Sequence, residues 1–130
     1  HAEGRTIDVE IADEPALVDV DVSSIERVIS NLIDNALKYT EGAIEVRVDV
    51  EPERARFIVT DHGPGIPVEH RANLFSRFYR VASQSTLQQR GLGLGLFISR
   101  QIVLRHGGDI GFQSEVGRGS TFYFTLPRRR

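Results

Sequence analysis

The stretch Asn31-Leu32-Ile33-Asp34-Asn35-Ala36-Leu37-Lys38 decides how this chain is read. Asn31, Asn35 and Lys38 stand at i, i+4 and i+7, so on a helix of about 3.6 residues per turn they share one stripe. Ile25, Val28, Ile29, Leu32, Ile33, Ala36 and Leu37 fall on the other face. An apolar back with an amide-and-ammonium stripe suits a Mg²⁺–polyphosphate ligand, because an Asn carbonyl oxygen reaches a hard cation and a lysine neutralises phosphate. The same stripe also suits a helix whose polar face simply meets water. Its meaning therefore rests on the rest of the chain.

Working outward, Ser23 and Glu26 form an S-x-x-E capping box, which predicts a helix running to about Tyr39 and stopping near Gly42. Upstream, residues 5–11 alternate at Ile7, Val9 and Ile11 and read as a strand. Downstream, Ile44, Val46, Val48 and Val50 alternate, residues 55–60 form a second β-rich run, and Pro52 with charged neighbours between them predicts a hairpin. Asp61-His62-Gly63-Pro64-Gly65-Ile66-Pro67 is a turn-rich break, and a short helix is expected over roughly 68–75. Residues 79–93 are polar, carry glycine and read as a mobile loop. A second long helix is expected from near Leu94 to the glycine stop at His106-Gly107-Gly108. Residues 110–113 and 121–126 read as strands around Gly117-Arg118-Gly119, with Pro127 ending the last. This order predicts an α+β two-layer sandwich: one mostly antiparallel or mixed sheet with helices on one face.

A length of 130 residues fits one domain, residues 1–130, with a core of its own. With 40% hydrophobic and 26% charged residues, the composition is that of a soluble globular domain. A net charge of −2 argues against nonspecific nucleic-acid binding. The absence of cysteine excludes a disulfide framework, a thiolate nucleophile and a Cys-based zinc site, and fits a reducing compartment. No apolar run approaches membrane-spanning length and no signal peptide is visible. The chain opens on His1, which reads as the edge of a fragment with further segments upstream. Arg128-Arg129-Arg130 reads as a solvated tail or the edge of a linker. His106 precedes the Gly-Gly stop, where a cation suits the helix C-terminal dipole.

Two glycine clusters carry weak signals individually. Gly91-Leu92-Gly93-Leu94-Gly95-Leu96 lies where a loop becomes a helix, where backbone N–H groups can approach a phosphate. It lacks the Gly-Lys-Ser/Thr of a Walker A loop and the preceding strand and spacing of a dinucleotide fingerprint. Asp61 ends a strand, and with Gly63 and Gly65 behind it either makes an ordinary tight turn or faces a pocket, where its carboxylate accepts from an adenine amino group.

In one order, the chain presents the Asn-stripe helix, a D-x-G-x-G turn, Phe75-Ser76-Arg77-Phe78-Tyr79-Arg80, the G-L-G-L-G-L helix start and Gly117-Arg118-Gly119-Ser120-Thr121-Phe122. This order resembles the N, G1, F, G2 and G3 boxes of the catalytic, ATP-binding domain of two-component sensor histidine kinases, within the wider gyrase, Hsp90, histidine kinase and MutL family. The boxes span residues 31–122, and the flanking strands extend the resemblance over essentially the whole chain. The resemblance implies the Bergerat ATP-binding fold: a mixed sheet of about five strands under three helices, with a mobile ATP lid over about 67–92.

Carried over residue by residue, the resemblance implies that Asn35 coordinates Mg²⁺ and Lys38 contacts phosphate. Tyr39 lies beside the adenine or is a boundary core residue. Asp61 reads the adenine N6 amino group, and Gly63, Gly65 and Ile66 line the base pocket. Phe75 and Phe78 anchor the base of the lid. Gly91, Leu92, Gly93, Leu94 and Gly95 hold the phosphates, and Ser120 or Thr121 completes the adenine side through water. Arg80 is either a partner of the γ-phosphate or a solvated lid arginine, with Gln88, Gln89 and Arg90 weaker candidates of the same kind.

Asn31, Lys38 and Arg80 are the candidate catalytic residues. In the ATPases of the wider family a glutamate that activates water stands four residues before the Mg²⁺ asparagine. Here that place holds Asn31, and a neutral amide cannot serve as general base. The pattern implies an ATP-dependent protein histidine kinase that passes the γ-phosphoryl group to an external acceptor, which needs positioning and charge neutralisation above all. None of His1, His62, His70 and His106 has the phosphoacceptor context, so the acceptor is expected on a separate dimerisation domain of the same protein. A response-regulator aspartate is expected to receive the phosphoryl group after it. The expected setting is a cytoplasmic domain, monomeric alone, of a membrane-anchored homodimer. The alternatives are a degenerate ATP-sensing module, an anti-sigma-factor-type serine kinase of the same fold and a gyrase- or Hsp90-type ATPase.

Overall fold

Period-two alternation lays down a sheet, and two amphipathic helices close over one of its faces. The computed structural model describes residues 7–75 and 95–129, apart from the side chain of Tyr39. In chain order the elements are β1 (Ile7–Ile11), α1 (Val22–Tyr39), β2 (Ile44–Val50), β3 (Arg54–Asp61), α2 (Val68–Arg71), α3 (Gly95–Arg105), β4 (Ile110–Glu115) and β5 (Gly119–Pro127). The five strands lie in the order β1-β2-β3-β5-β4. β1 runs parallel to β2 and the other neighbours are antiparallel, so the sheet is mixed, as expected.

The registers arrange the helix-facing side of the sheet into rows. Val48, Phe57, Phe124 and Ile110 make one row across β2, β3, β5 and β4, and Val46, Val59, Phe122 and Phe112 make the next. The rings of Phe57 and Phe124 lie 5.3 Å apart, and those of Phe112 and Phe122 5.6 Å apart. Against these rows α1 sets Ile25, Val28, Leu32 and Ala36, and α3 adds Val103, all buried. Burying one such side chain contributes about 1.5–3 kcal/mol, so this stripe holds α1 in place far more firmly than its local propensities do. The row continues onto β1 through Ile7, Val9 and Ile11, but these are 37%, 60% and 66% exposed, because the helices stop short of that edge.

Three local expectations need correction. The cap of α1 is Asp21, whose carboxylate accepts from the Ser24 backbone N–H at 3.1 Å and from the Ser24 hydroxyl. The helix thus starts at Val22, ahead of the Ser23–Glu26 box. The helix expected over 68–75 is one turn, Val68–Arg71. After it the Asn73 and Leu74 N–H groups donate three residues back to His70 and Arg71, and this tighter winding carries the chain on to buried Leu74. Nor are the terminal arginines merely solvated. The Arg129 N–H donates to the Leu17 carbonyl, and the Arg128 guanidinium donates to the Glu51 carbonyl at 3.0 Å.

Candidate functional site

One end of the sheet departs from the apolar rows. There the register sets Ile44 beside Asp61, Asp61 beside Ser120 and Ser120 beside Ser114. Asp61 is the last residue of β3 and only 7% exposed. Its Oδ1 accepts two backbone N–H bonds, from Gly63 at 2.9 Å and from Ser120 at 3.2 Å. One carboxylate oxygen is therefore committed to holding the turn and β5. Among the described residues no hydrogen bond falls on Oδ2, which leaves an acceptor for a ligand.

The turn after Asp61 is held by its surroundings as well as by its glycines. A Cβ on Gly63 would meet the Thr40 side chain at 2.3 Å, so Thr40 from the end of α1 lies against the turn. The Thr40 hydroxyl donates to the Ala36 carbonyl at 2.6 Å. Gly65 has φ +81°, and a Cβ there would meet the Glu115 carbonyl oxygen at 2.4 Å. The Gly117 N–H donates to the Pro64 carbonyl at 2.8 Å, so the turn is fastened to the β4–β5 turn. Ile66 is held on both sides, its N–H donating to Ser114 Oγ at 2.7 Å and its carbonyl accepting from the Arg71 guanidinium at 3.0 Å.

Ser120 and Thr121 separate cleanly. Ser120 is buried beside Asp61, with its hydroxyl 2.8 Å from that of Ser114. Thr121 is on the opposite face of the sheet, its hydroxyl 3.3 Å from that of Thr60. Strand alternation forces this choice, and it removes Thr121 from the candidates on this side of the sheet.

On α1, Asn35 is half-buried and Lys38 is exposed. Asn31 behaves differently, because its Nδ2 donates to the Gly95 carbonyl at 3.3 Å and to Ser99 Oγ at 3.1 Å, tying α1 to the start of α3. Gly95 lies against that tie, where a Cβ would be 3.9 Å from Asn31 Cγ. Arg80, Gly91, Leu92, Gly93 and Leu94 lie outside the described residues, as do Phe78, Gln88, Gln89, Arg90 and the Tyr39 side chain. Phe75, the last described residue before that gap, packs its ring 6.0 Å from Phe112 and 6.5 Å from Phe122.

The described residues hold no cluster of three or more His, Asp or Glu side chains fit for a metal ion. The donors on offer are neutral amides on α1, which suit a hard cation that arrives on phosphate oxygens better than a resident metal. Elsewhere, the His62 imidazole is 3.2 Å from the Glu45 carboxylate at the surface. The His106 ring accepts from the Asp21 N–H at Nε2 and donates from Nδ1 to the Ile102 carbonyl, so it links the end of α3 to the cap of α1.

Thr40, Ser99 and Ser114 were not singled out by the sequence. Ser114 becomes visible only once the β4–β5 register is known, and Thr40 and Ser99 only through long-range packing.

Residues 20–130 match the model of the family described as histidine kinase-, DNA gyrase B- and HSP90-like ATPase. The chain belongs to this family. Within it, the chain matches the ATP-binding catalytic domain of sensor histidine kinases. Sensor protein SrrB of Staphylococcus aureus (strain NCTC 8325 / PS 47) is 40% identical over 110 residues, covering 83% of this chain and 19% of that protein. The chain thus spans about a fifth of the length of the curated relatives it matches. Among solved structures, the mycobacterial sensor histidine kinase MprB superposes with a TM-score of 0.82 at 32% identity, over 98% of this chain and 85% of that one. Full-length ShkA in complex with AMPPNP gives 0.83 at 28% identity, over 97% of this chain and 26% of that one. The nucleotide-free catalytic domain of histidine kinase ThkA gives 0.80 at 31% identity, over 95% of this chain and 80% of that one. No helix among the described residues is long and apolar enough to cross a membrane.

Proposed function

We propose that the chain binds Mg²⁺–ATP beside the polar end of the sheet. In its parent protein it donates the γ-phosphoryl group to a histidine on a separate dimerisation domain, from which a response-regulator aspartate receives it. The observation that carries this reading is Asp61: a buried carboxylate with one oxygen pinned by two backbone donors and the other free of hydrogen bonds from described residues. Such a group suits an amino-group donor such as adenine N6 and repels a carbonyl edge. Asn35 and Lys38 then serve the metal and the phosphates, and Ser120 supports the base side through water. When bound, Mg²⁺ supplies neutralisation of the phosphate charge. Asn31 offers no carboxylate to activate water, and its amide nitrogen is already engaged on α3. This favours transfer over hydrolysis. The relatives named above are sensor proteins, which supports a sensor as the parent; its membrane anchor, its homodimeric state and the cytoplasmic place of this domain belong to the same proposal.

The test mixes the chain with the dimerisation domain of its parent and γ-labelled ATP. Acid-labile histidine phosphate is expected on the dimerisation domain, lost with Asp61→Ala or Asn35→Ala. Nucleotide binding without any such phosphate would leave an ATP-sensing module and end the kinase reading. Steady-state hydrolysis by the chain alone would favour a gyrase-type ATPase.

A further inference from the structure

Ser99 is fully buried in the middle of α3, and the nucleotide reading gives it no task. A serine in such a place needs a hydrogen-bond partner, and here the partner is Nδ2 of Asn31 at 3.1 Å. The second contact of that nitrogen fixes the orientation of the whole carboxamide. The Gly95 carbonyl, 3.3 Å away, can only accept, so the end of Asn31 that faces α3 must be the NH₂. Both amide hydrogens are then satisfied on α3, and Oδ1 points away from it.

We propose that Ser99 is a positioning residue: it holds the Asn31 carboxamide oxygen-outward, one helical turn before Asn35, so that a cation-bearing ligand meets an acceptor there. The proposal rests on the Mg²⁺–nucleotide reading and deepens it. With Ser99 intact, a flip of the amide would set oxygen against the Gly95 carbonyl and leave the NH₂ facing outward. The Gly95 carbonyl selects the orientation, and the shorter bond to the Ser99 hydroxyl anchors the carboxamide in it; without that hydroxyl the amide keeps only the longer bond to Gly95 and is free to turn away from α3. An outward NH₂ repels a metal ion and attracts bare phosphate. Loss of Ser99 should therefore weaken the metal-loaded nucleotide selectively.

The experiment uses the full 130-residue chain. ATP dissociation constants are measured with Mg²⁺ and with EDTA for the wild type, Ser99→Ala, Ser99→Cys and the packing control Val103→Ala. Ser99→Ala is expected to raise the Kd for Mg²⁺–ATP about tenfold, the scale of one lost hydrogen bond, and to leave that for metal-free ATP within about twofold. Ser99→Cys, a weak acceptor of similar size, should fall between. Val103→Ala should leave the ratio of the two constants at the wild-type value. Equal shifts of both constants in Ser99→Ala, or no shift in either, would overturn the proposal. A second arm needs no nucleotide: hydrogen exchange of the Asn31 side-chain NH₂, followed by NMR, should accelerate in Ser99→Ala, and unchanged exchange would also overturn it. A wild-type chain that binds neither form of ATP refutes the nucleotide reading, and the positioning role with it, whatever the exchange arm shows.

Discussion

At the scale of single residues, Asp61 offers the most direct test of the proposed base recognition. Asp61→Asn can keep its oxygen on the Gly63 and Ser120 N–H groups, and it then turns an NH₂ where the wild type presents an acceptor. Adenine nucleotides are expected to bind at least about tenfold more weakly, while nucleotides with a carbonyl at the same ring position bind better than they do to the wild type. Parallel titrations with ATP and ITP check this, and an unchanged preference would remove Asp61 from base recognition. His106 gives a prediction free of any ligand. Its neutral ring should carry the proton on Nδ1, since Nε2 accepts from the Asp21 N–H, and long-range ¹H–¹⁵N spectra report the tautomer directly. The residue scale is also where the sequence was least legible. Ser120 and Thr121 are adjacent hydroxyls of nearly equal chemistry, and only the phase of β5 separates them. Asn31 was legible as a neutral amide that cannot act as a base, but not as a tie to α3.

At the scale of elements, the cap of α1 and the turn after β3 are the points where single substitutions test the fold most directly. Asp21→Ala should lower the Tm by a few degrees, whereas Ser23→Ala and Glu26→Ala should leave it nearly unchanged, because the cap lies at Asp21. The bonds from the Ser24 side chain and backbone hold the Asp21 carboxyl below its usual range, and the bond from Arg54 does the same for Glu51. In both cases the unfolded chain binds its proton more readily than the folded one. The stabilisation is complete above the ordinary carboxylate range and fades as pH falls through it. Urea titrations at pH 7 and pH 3 should therefore show a smaller acid loss for Asp21→Asn, which still caps, than for the wild type. Gly65→Ala places a Cβ against the Glu115 backbone at a positive φ and should cost at least about 2 kcal/mol of stability. Strand positions were readable from alternation alone, because a half-covered sheet imposes period two. The cap was not, since Asp21 and Ser23 both offer suitable oxygens and the choice rests on where α1 packs.

At the scale of the whole molecule, stability is unevenly spread. β1 pairs only with β2, and its inward side chains remain largely exposed, whereas β3 and β5 are paired on both edges and roofed by the helices. Native-state hydrogen exchange should show β1 amides opening well before those of β3 and β5. Equal protection would mean that the sheet opens as one unit. The polar row carries a further consequence, best put in terms of insertions and deletions. Asp61 and Ser120 are 59 positions apart along the chain, yet their contact is set by the β3–β5 ladder and not by what joins them. Chain added or removed between α2 and α3 leaves every pairing of that ladder in phase. One residue added inside β5 after Ser120 puts Phe122, Phe124 and Leu126 out of phase with Ser120, so either those side chains or the Ser120 hydroxyl moves to the wrong face. The ladder is indifferent to the length of that connection, while β5 must be inherited without a frame slip.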